Sequence, residues 1–196
     1  MAASLRRYEA RDADALTRIC LLTGLSGTDA TGHFSDDRLL GDIYALPYAV
    51  RDPRWAWVID DGSGAKGYLV PTPDTAAFEQ WFIESWWPQR DAVYRAGANP
   101  ETLAVIDGLN RRRGDAEAFT ARYPAHLHIN LLDELRGGGW GRALIETLVA
   151  QLRNDGVSGL HLVAALDNEN AQRFYEKLGF TRLDAVGGAA YGMPLA

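Results

Sequence analysis

Seven residues, Arg136-Gly137-Gly138-Gly139-Trp140-Gly141-Arg142, constrain this chain more than any others. They stand between two segments of different period. Ala125-His126-Leu127-His128-Ile129-Asn130-Leu131-Leu132 alternates like a half-buried strand, while Ala143 to Arg153 carries apolar side chains at helical spacing. A strand that turns through glycines into a helix leaves unpaired backbone N–H groups at the helix start, where the helix dipole favours negative charge. Glycines let a phosphate approach that backbone, because a Cβ would stand in its path. Four glycines in the five positions 137 to 141 exceed what closing a turn requires. The segment reads as a site for a phosphorylated ligand.

The rest of the composition narrows the ligand. Twenty basic against 26 acidic residues give a formal charge of −6, which argues against a nucleic-acid binder with a basic face. The run Arg111-Arg112-Arg113 reads as a solvated patch. The single cysteine, Cys20, excludes an intramolecular disulfide and sits in an apolar stretch as a core thiol. No segment approaches the roughly 20 apolar residues of a membrane span, and the start lacks the apolar core of a signal peptide. The expected location is the cytoplasm. With 196 residues, 47% of them hydrophobic, the chain is expected to form one domain spanning 1–196.

Helices and strands alternate along the chain. Leu5 to Ala10 reads as a strand, and Asp12 as the N-cap of a helix running to Leu22. Thr23 to Gly32 is a polar, turn-rich loop. A second helix is expected from Asp36 to Ala45, stopping before Pro47. Trp55 to Asp60 and Lys66 to Pro71 flank Asp61-Gly62-Ser63-Gly64 as a hairpin. Phe78, Trp81, Phe82 and Trp86 mark a core-facing helix. A short helix near Glu101–Asp107 precedes a charged linker. Leu160 to Ala164 is a strand, and Asp167 or Asn168 caps a helix ended by Gly179. Phe180 to Leu183 and Ala190 to Leu195 are closing strands. The pattern is α/β, with helices around a mixed sheet.

A dinucleotide fingerprint is the competing reading of the glycine loop. It expects a glycine or alanine at position 144 and a carboxylate closing the next strand. Leu144 occupies the first place, and the strand ending at Ala164 has no acid.

Two signatures carry a family resemblance. Arg136-x-x-Gly139-x-Gly141 is similar to the acyl-CoA pyrophosphate loop of the GCN5-related N-acetyltransferase superfamily. Asn168-Glu169-Asn170-Ala171-Gln172-Arg173-Phe174-Tyr175-Glu176-Lys177-Leu178-Gly179-Phe180 resembles the helix that follows it in that superfamily. Further likeness, through Thr23-Gly24, Gly27 to Ala30, Tyr44 to Tyr48, Glu84 to Pro88 and Tyr123 to Ile129, points to bacterial relatives of the acetyltransferase-like C-terminal domain of O-GlcNAcase. The glycosidase half of that protein is expected to have no counterpart in these residues. The resemblance implies a mixed, mostly antiparallel sheet flanked by helices, with the acyl-CoA-binding half at about 125–196.

It also implies acetyl-CoA as cofactor and an amine as acceptor. Gly137, Gly138, Gly139, Trp140, Gly141 and Arg142 would offer backbone amides to the pyrophosphate, with Arg136 and Arg142 adding charge. The strand edge at Ile129 and Leu131 would pair with the pantetheine arm. Asn168 is both an ordinary N-cap and a candidate pantetheine contact, with Ala171 one turn further on. Tyr175 has the spacing of a core residue; the resemblance would make it the acid that protonates the leaving thiolate.

The base is harder to read. Relatives carry Asp where this chain has Asn130, and an amide does not accept a proton. Asp133, Glu134, His128 and Glu84 are the remaining candidates. His126 and His128 share one strand face, but no third metal ligand accompanies them, so no metal is expected. Asp29 and Glu84, with Trp87 as an apolar wall, are expected to receive a cationic acceptor. The alternative to transfer is a non-catalytic acyl-CoA-binding module.

Overall fold

A computed structural model describes residues 2–111, 119–184 and 188–195. Arg112, Arg113 and the expected charged linker lie outside the described residues. Seven strands form one sheet: β1 (Ser4–Arg7), β2 (Trp57–Asp60), β3 (Ala65–Thr72), β4 (Ala125–Leu131), β5 (Gly159–Ala164), β6 (Thr181–Leu183) and β7 (Ala189–Pro194). Their order is β1-β2-β3-β4-β5-β7-β6, and every pair is antiparallel except β4 with β5. This is the mixed, mostly antiparallel α/β arrangement that the sequence implied.

Each face of the sheet has its own core, because alternate strand residues point to opposite sides. On one face Val58, Tyr68 and Val70 pack with α1 (Ala13–Leu22), α2 (Leu39–Tyr44), α3 (Leu46–Arg51) and α4 (Thr75–Trp81). A π-helical turn (Phe82–Trp86), α5 (Pro88–Arg95) and α6 (Pro100–Arg111) complete that layer. On the other face Ile59, Leu69 and Leu127 meet α7 (Trp140–Asn154) and α8 (Glu169–Lys177). Leu144, Ile145, Leu148 and Leu152 supply the buried stripe of α7.

Of two local expectations, one holds and one is corrected. The helix expected to stop before Pro47 does so: α2 ends at Tyr44, Ala45 breaks from it at φ −129° and ψ −66°, and Pro47 lies in the first turn of α3. A first-turn residue needs no intrahelical N–H partner, so proline starts this helix. Asp12 precedes α1, yet its carboxylate does not cap that helix. It accepts from the Glu9 N–H at 2.9 Å and from Arg6 at 2.7 and 2.8 Å. Arg6 also reaches Asp60 at 2.7 Å, tying β1, β2 and the start of α1 together.

Candidate functional site

The site begins where two strands part. β4 and β5 pair only at Ala125 with Leu160 and at His126 with His161, although β4 continues to Leu131 and β5 to Ala164. Over the same length β4 stays paired to β3, from His126 with Thr72 to Leu131 with Gly67. The β5-facing edge of β4 from Leu127 onward therefore has no strand partner among the described residues. Its N–H and C=O groups form a template for an extended, amide-bearing ligand. Ile129 and Leu131 lie on this stretch, with their side chains packed toward α7 and α8.

Beyond β4 a 3₁₀ turn (Asp133–Leu135) leads into the glycine loop. Gly137 and Gly139 have φ of 76° and 80°, the left-handed region where a side chain is strained. A Cβ on either would meet nothing within 4 Å, so both backbones face open space. Gly139 is the N-cap residue of α7, and no side chain caps the helix. The unpaired first-turn N–H groups thus open onto the approach that the two glycines keep clear.

Gly141 differs from the expectation that each glycine clears the ligand's path. It is buried, and a Cβ there would come within 3.0 Å of the Phe174 ring. This glycine lets α7 and α8 pack closely. Gly138 is held by its neighbour, with a Cβ meeting Trp140 at 3.0 Å. Trp140 itself packs on the core beneath α7. Arg142 is exposed and pairs with Glu146 at 3.2 Å, one helical turn away.

Arg136 projects from the loop with two partners. It pairs with Asp133 at 2.8 Å and donates to the Gly27 carbonyl at 2.8 Å. Ser26, next to Gly27, donates to Asp167 at 2.7 Å, immediately before α8. The loop after α1 therefore reaches from the glycine loop to the start of α8. There the Asn168 side chain accepts from the Ala171 N–H at 3.0 Å, so Asn168 is the cap.

Beside this crossing lies a cavity of about 490 Å³, lined by Arg18, Thr23, Asp29, Lys66, Asp133 and Arg136 among others. Asp29 lies on its wall, its carboxylate held below the usual range by the Thr31 hydroxyl and N–H. Glu84 and Trp87 do not line it. Glu84 accepts from Gln80 in the π-helical turn, and Trp87 is buried between the rings of Phe82 and Tyr94.

Asn130 is locked by hydrogen bonds at both ends of its amide. Its Oδ1 accepts from the Tyr68 hydroxyl at 2.9 Å, and its Nδ2 donates to Thr23 Oγ1 at 2.6 Å. Thr23 donates its own proton to the Ile19 carbonyl at 2.7 Å, so toward Asn130 it can only accept. Position 130 therefore needs one acceptor and one donor, which an amide supplies and a carboxylate does not. Asp133 is exposed and engaged by Arg136.

Tyr175 is buried on α8 beside Phe174, Phe180 and Tyr191, and its hydroxyl has no hydrogen-bond partner among the described residues. Burial pushes its ionisation well above the ordinary phenol value, so the hydroxyl keeps its proton.

The alternate face of β4 holds a polar cluster that the sequence showed only as a histidine pair. The Tyr48 hydroxyl bridges His126 Nε2 at 2.8 Å and His128 Nε2 at 3.1 Å, and His126 Nδ1 meets Thr75 Oγ1 at 2.7 Å. Among the described residues no group of three His, Cys, Asp or Glu could hold a metal. Tyr48, Tyr68, Thr23 and Thr75 were missed as site residues. Each lies far along the chain from its partner, and no local pattern announces them.

Residues 67–180 match the Acetyltransferase (GNAT) family, a span from β3 to just past α8, and the chain belongs to that family. The crystal structure of SsHAT is similar over 100% of both chains, with 32% identity and a TM-score of 0.88. Protein O-GlcNAcase of Rattus norvegicus is 21% identical over 189 residues, 90% of this chain but 20% of its own length. The chain thus spans about a fifth of that relative. A phosphinothricin acetyltransferase of Sinorhizobium meliloti, solved in complex with AcCoA, shares the fold at a TM-score of 0.60 and 20% identity, over 100% of this chain and 90% of that one. No helix among the described residues is long and apolar enough to cross a membrane.

Proposed function

We propose that this protein transfers the acetyl group of acetyl-CoA directly to an amine. The observation that carries the reading is the parting of β4 from β5 in line with the open glycine turn at the start of α7. An extended pantetheine fits the strand edge at Ile129 and Leu131, and a pyrophosphate fits the N–H groups between Gly137 and Gly141. The space a Cβ would fill at Gly137 and Gly139 is the space a phosphate needs. Arg136 adds charge there, and Asp133 aims it. Arg142 stands one turn along for a further phosphate.

The chain's groups divide the chemistry by place. Strand-edge N–H groups polarise the thioester carbonyl as the amine adds. Tyr175, kept protonated by its apolar surroundings, donates to the sulfur as the C–S bond breaks. The cavity carrying Asp29 admits a cationic amine to the α1 side of β4. Asn130 fixes Thr23, and with it the loop that bounds this cavity.

The test is thiol release from acetyl-CoA against peptide amines, amino sugars and arylalkylamines, with the product identified by mass spectrometry. An N-acetylated product formed with one thiol per amide supports the proposal. Tight acetyl-CoA binding with no transfer to any amine would leave the non-catalytic binding module as the correct reading.

A further inference from the structure

The hydrogen bonds around Tyr48 have one consistent direction, and it ends on a basic nitrogen. Thr75 Oγ1 lies 2.7 Å from the Pro124 carbonyl, which only accepts, so the threonine proton points there. Thr75 must then accept from His126, which places the proton of a neutral His126 on Nδ1. His126 stays neutral because burial pushes its pKa well below the ordinary histidine value, with His161 and His128 adding to the shift. Its Nε2 is therefore a lone pair, and the Tyr48 hydroxyl donates to it at 2.8 Å. The phenol has a single proton, so toward His128 Nε2, at 3.1 Å, its oxygen can only accept. His128 must carry its proton on Nε2. Its basic nitrogen is Nδ1.

We propose that His128 is the general base of the transfer, held in the productive tautomer by Tyr48, His126 and Thr75. The inference rests on the acetyl-transfer reading above. His128 is partly exposed and follows by two residues the last pairing of β4 with β5, so it flanks the start of the unpaired edge. It lies on the α1–α3 face, opposite the side where Leu127, Ile129 and Leu131 pack, and shares that face with Asn130. An amine on this face attacks the acetyl carbon at the strand edge without crossing the cofactor.

The proton balance is simple. A protonated amine loses two protons on becoming an amide. His128 Nδ1 takes one, which frees the nitrogen lone pair to form the C–N bond, and passes it to solvent. The other replaces the proton that Tyr175 gives to the sulfur when the C–S bond breaks. While His128 is an imidazolium, the Tyr48 oxygen faces its Nε2–H with a lone pair, and the chain of donors behind it points away from the charge. Titratable groups packed against His128 include Tyr44 of α2, Tyr48 of α3 and His126 of its own strand.

Imidazole nitrogen NMR reads the tautomers without any acceptor. The expected result is His126 neutral with Nδ1–H at neutral pH, and His128 neutral as Nε2–H with Nδ1 taking the proton on acidification. The reverse tautomers would overturn the assignment. In turnover with the best amine of the panel, His128→Ala should lower kcat by about 10²–10⁴-fold while leaving acetyl-CoA affinity intact. Added imidazole should restore part of the loss, and the residual rate should climb with pH as the amine loses its proton unaided. Tyr48→Phe keeps the ring stacked on Phe78 at 4.0 Å and should lower kcat about 10–100-fold with KM unchanged. Wild-type kcat in folded His128→Ala would remove His128 from the mechanism and leave the transfer reading standing. Failure of the wild-type protein to acetylate any amine would overturn that reading, and His128 as its base with it.

Discussion

Arg136 donates to the carbonyl of Gly27 across 109 positions of sequence, at 2.8 Å. With Ser26 bonded to Asp167, this places one backbone turn across the groove between the glycine loop and α8. The contact commits Arg136, the arginine proposed to bind phosphate, to a polypeptide carbonyl. A phosphate arriving beside Arg136 competes for the same guanidinium.

Arg136→Ala is therefore expected to weaken acetyl-CoA binding about tenfold, in keeping with loss of one charge-assisted contact of about 1.5–3 kcal/mol that the release of Gly27 partly offsets. The side chain is half exposed, so the melting temperature should stay within a degree or two of wild type, by the usual small cost of surface changes, about ±0.5 kcal/mol. Calorimetric titration with acetyl-CoA checks the affinity. An unchanged affinity would separate Arg136 from the cofactor.

Gly139 and Gly141 should fail in different ways. Gly139→Ala forces a side chain into the left-handed region, at roughly 1–2 kcal/mol, and places a methyl in the phosphate approach, so binding is lost from a folded protein. Gly141→Ala pushes Cβ against Phe174, so stability is lost first, and Phe174→Leu should restore part of it. Thermal unfolding of the three proteins, with and without acetyl-CoA, distinguishes these outcomes. Wild-type stability of Gly141→Ala would contradict the packing role.

Much of this was legible because it is local. The glycine loop, the Asn168 cap and the Gly179 stop are each written within a few neighbouring residues, and the structure forms all three. Pro47 marked the end of α2 correctly, and the same missing N–H lets it begin α3. Asn130 looked like a base that had lost its carboxylate. Its partners Thr23 and Tyr68 stand 107 and 62 positions away and enter only when α1 and β3 close around β4. The Tyr48 bridge, 80 positions from His128, was hidden for the same reason. Glu84 and Trp87 drew attention by their chemistry, but the π-helical turn points the tryptophan into the core.

Asn130→Asp tests the amide lock through pH. A carboxylate there would face a Thr23 oxygen that cannot donate, whereas a protonated carboxyl can donate to it as the amide does. The folded-state pKa of the new acid is thus raised above its unfolded value of about 3.9. Its favourable contribution is complete below that value and is lost as pH rises through the folded pKa. Urea unfolding should show a variant near wild type in acid and about 1–3 kcal/mol weaker at neutral pH. A stability difference that does not vary with pH would contradict the assignment.

The Arg6 junction titrates in the opposite sense. Burial raises the Asp12 pKa, but the Arg6 bonds and the Glu9 N–H outweigh it, and the net value lies below the usual range. Asp60 is lowered as well, by Arg6 first and then by the Gly62 N–H. Folded pKa values below the unfolded ones give stability that is present above about pH 4 and lost as pH falls through the folded values. Arg6→Met should flatten that acid dependence and cost about 1–3 kcal/mol at neutral pH by leaving Asp12 buried beside an apolar chain. Urea midpoints across the acid range check both effects.

Tyr175→Phe retains the ring that packs on Phe180 and removes only the hydroxyl. Turnover should fall by about 10²–10⁴-fold with acetyl-CoA affinity and melting temperature unchanged. Retained turnover would leave Tyr175 as a core residue.

The central claim is direct transfer from the thioester in the β4–β5 groove to an amine. Acetyl-CoA carrying a labelled carbonyl carbon, followed by NMR alongside the free thiol in the presence of an acetylated member of the amine panel, tests it most directly. The account predicts that the thioester signal converts to an amide signal, with one thiol released per amide and no labelled acetate, and that Gly139→Ala abolishes the conversion. Thiol release with the label appearing only as acetate, or conversion undiminished in folded Gly139→Ala, would contradict it.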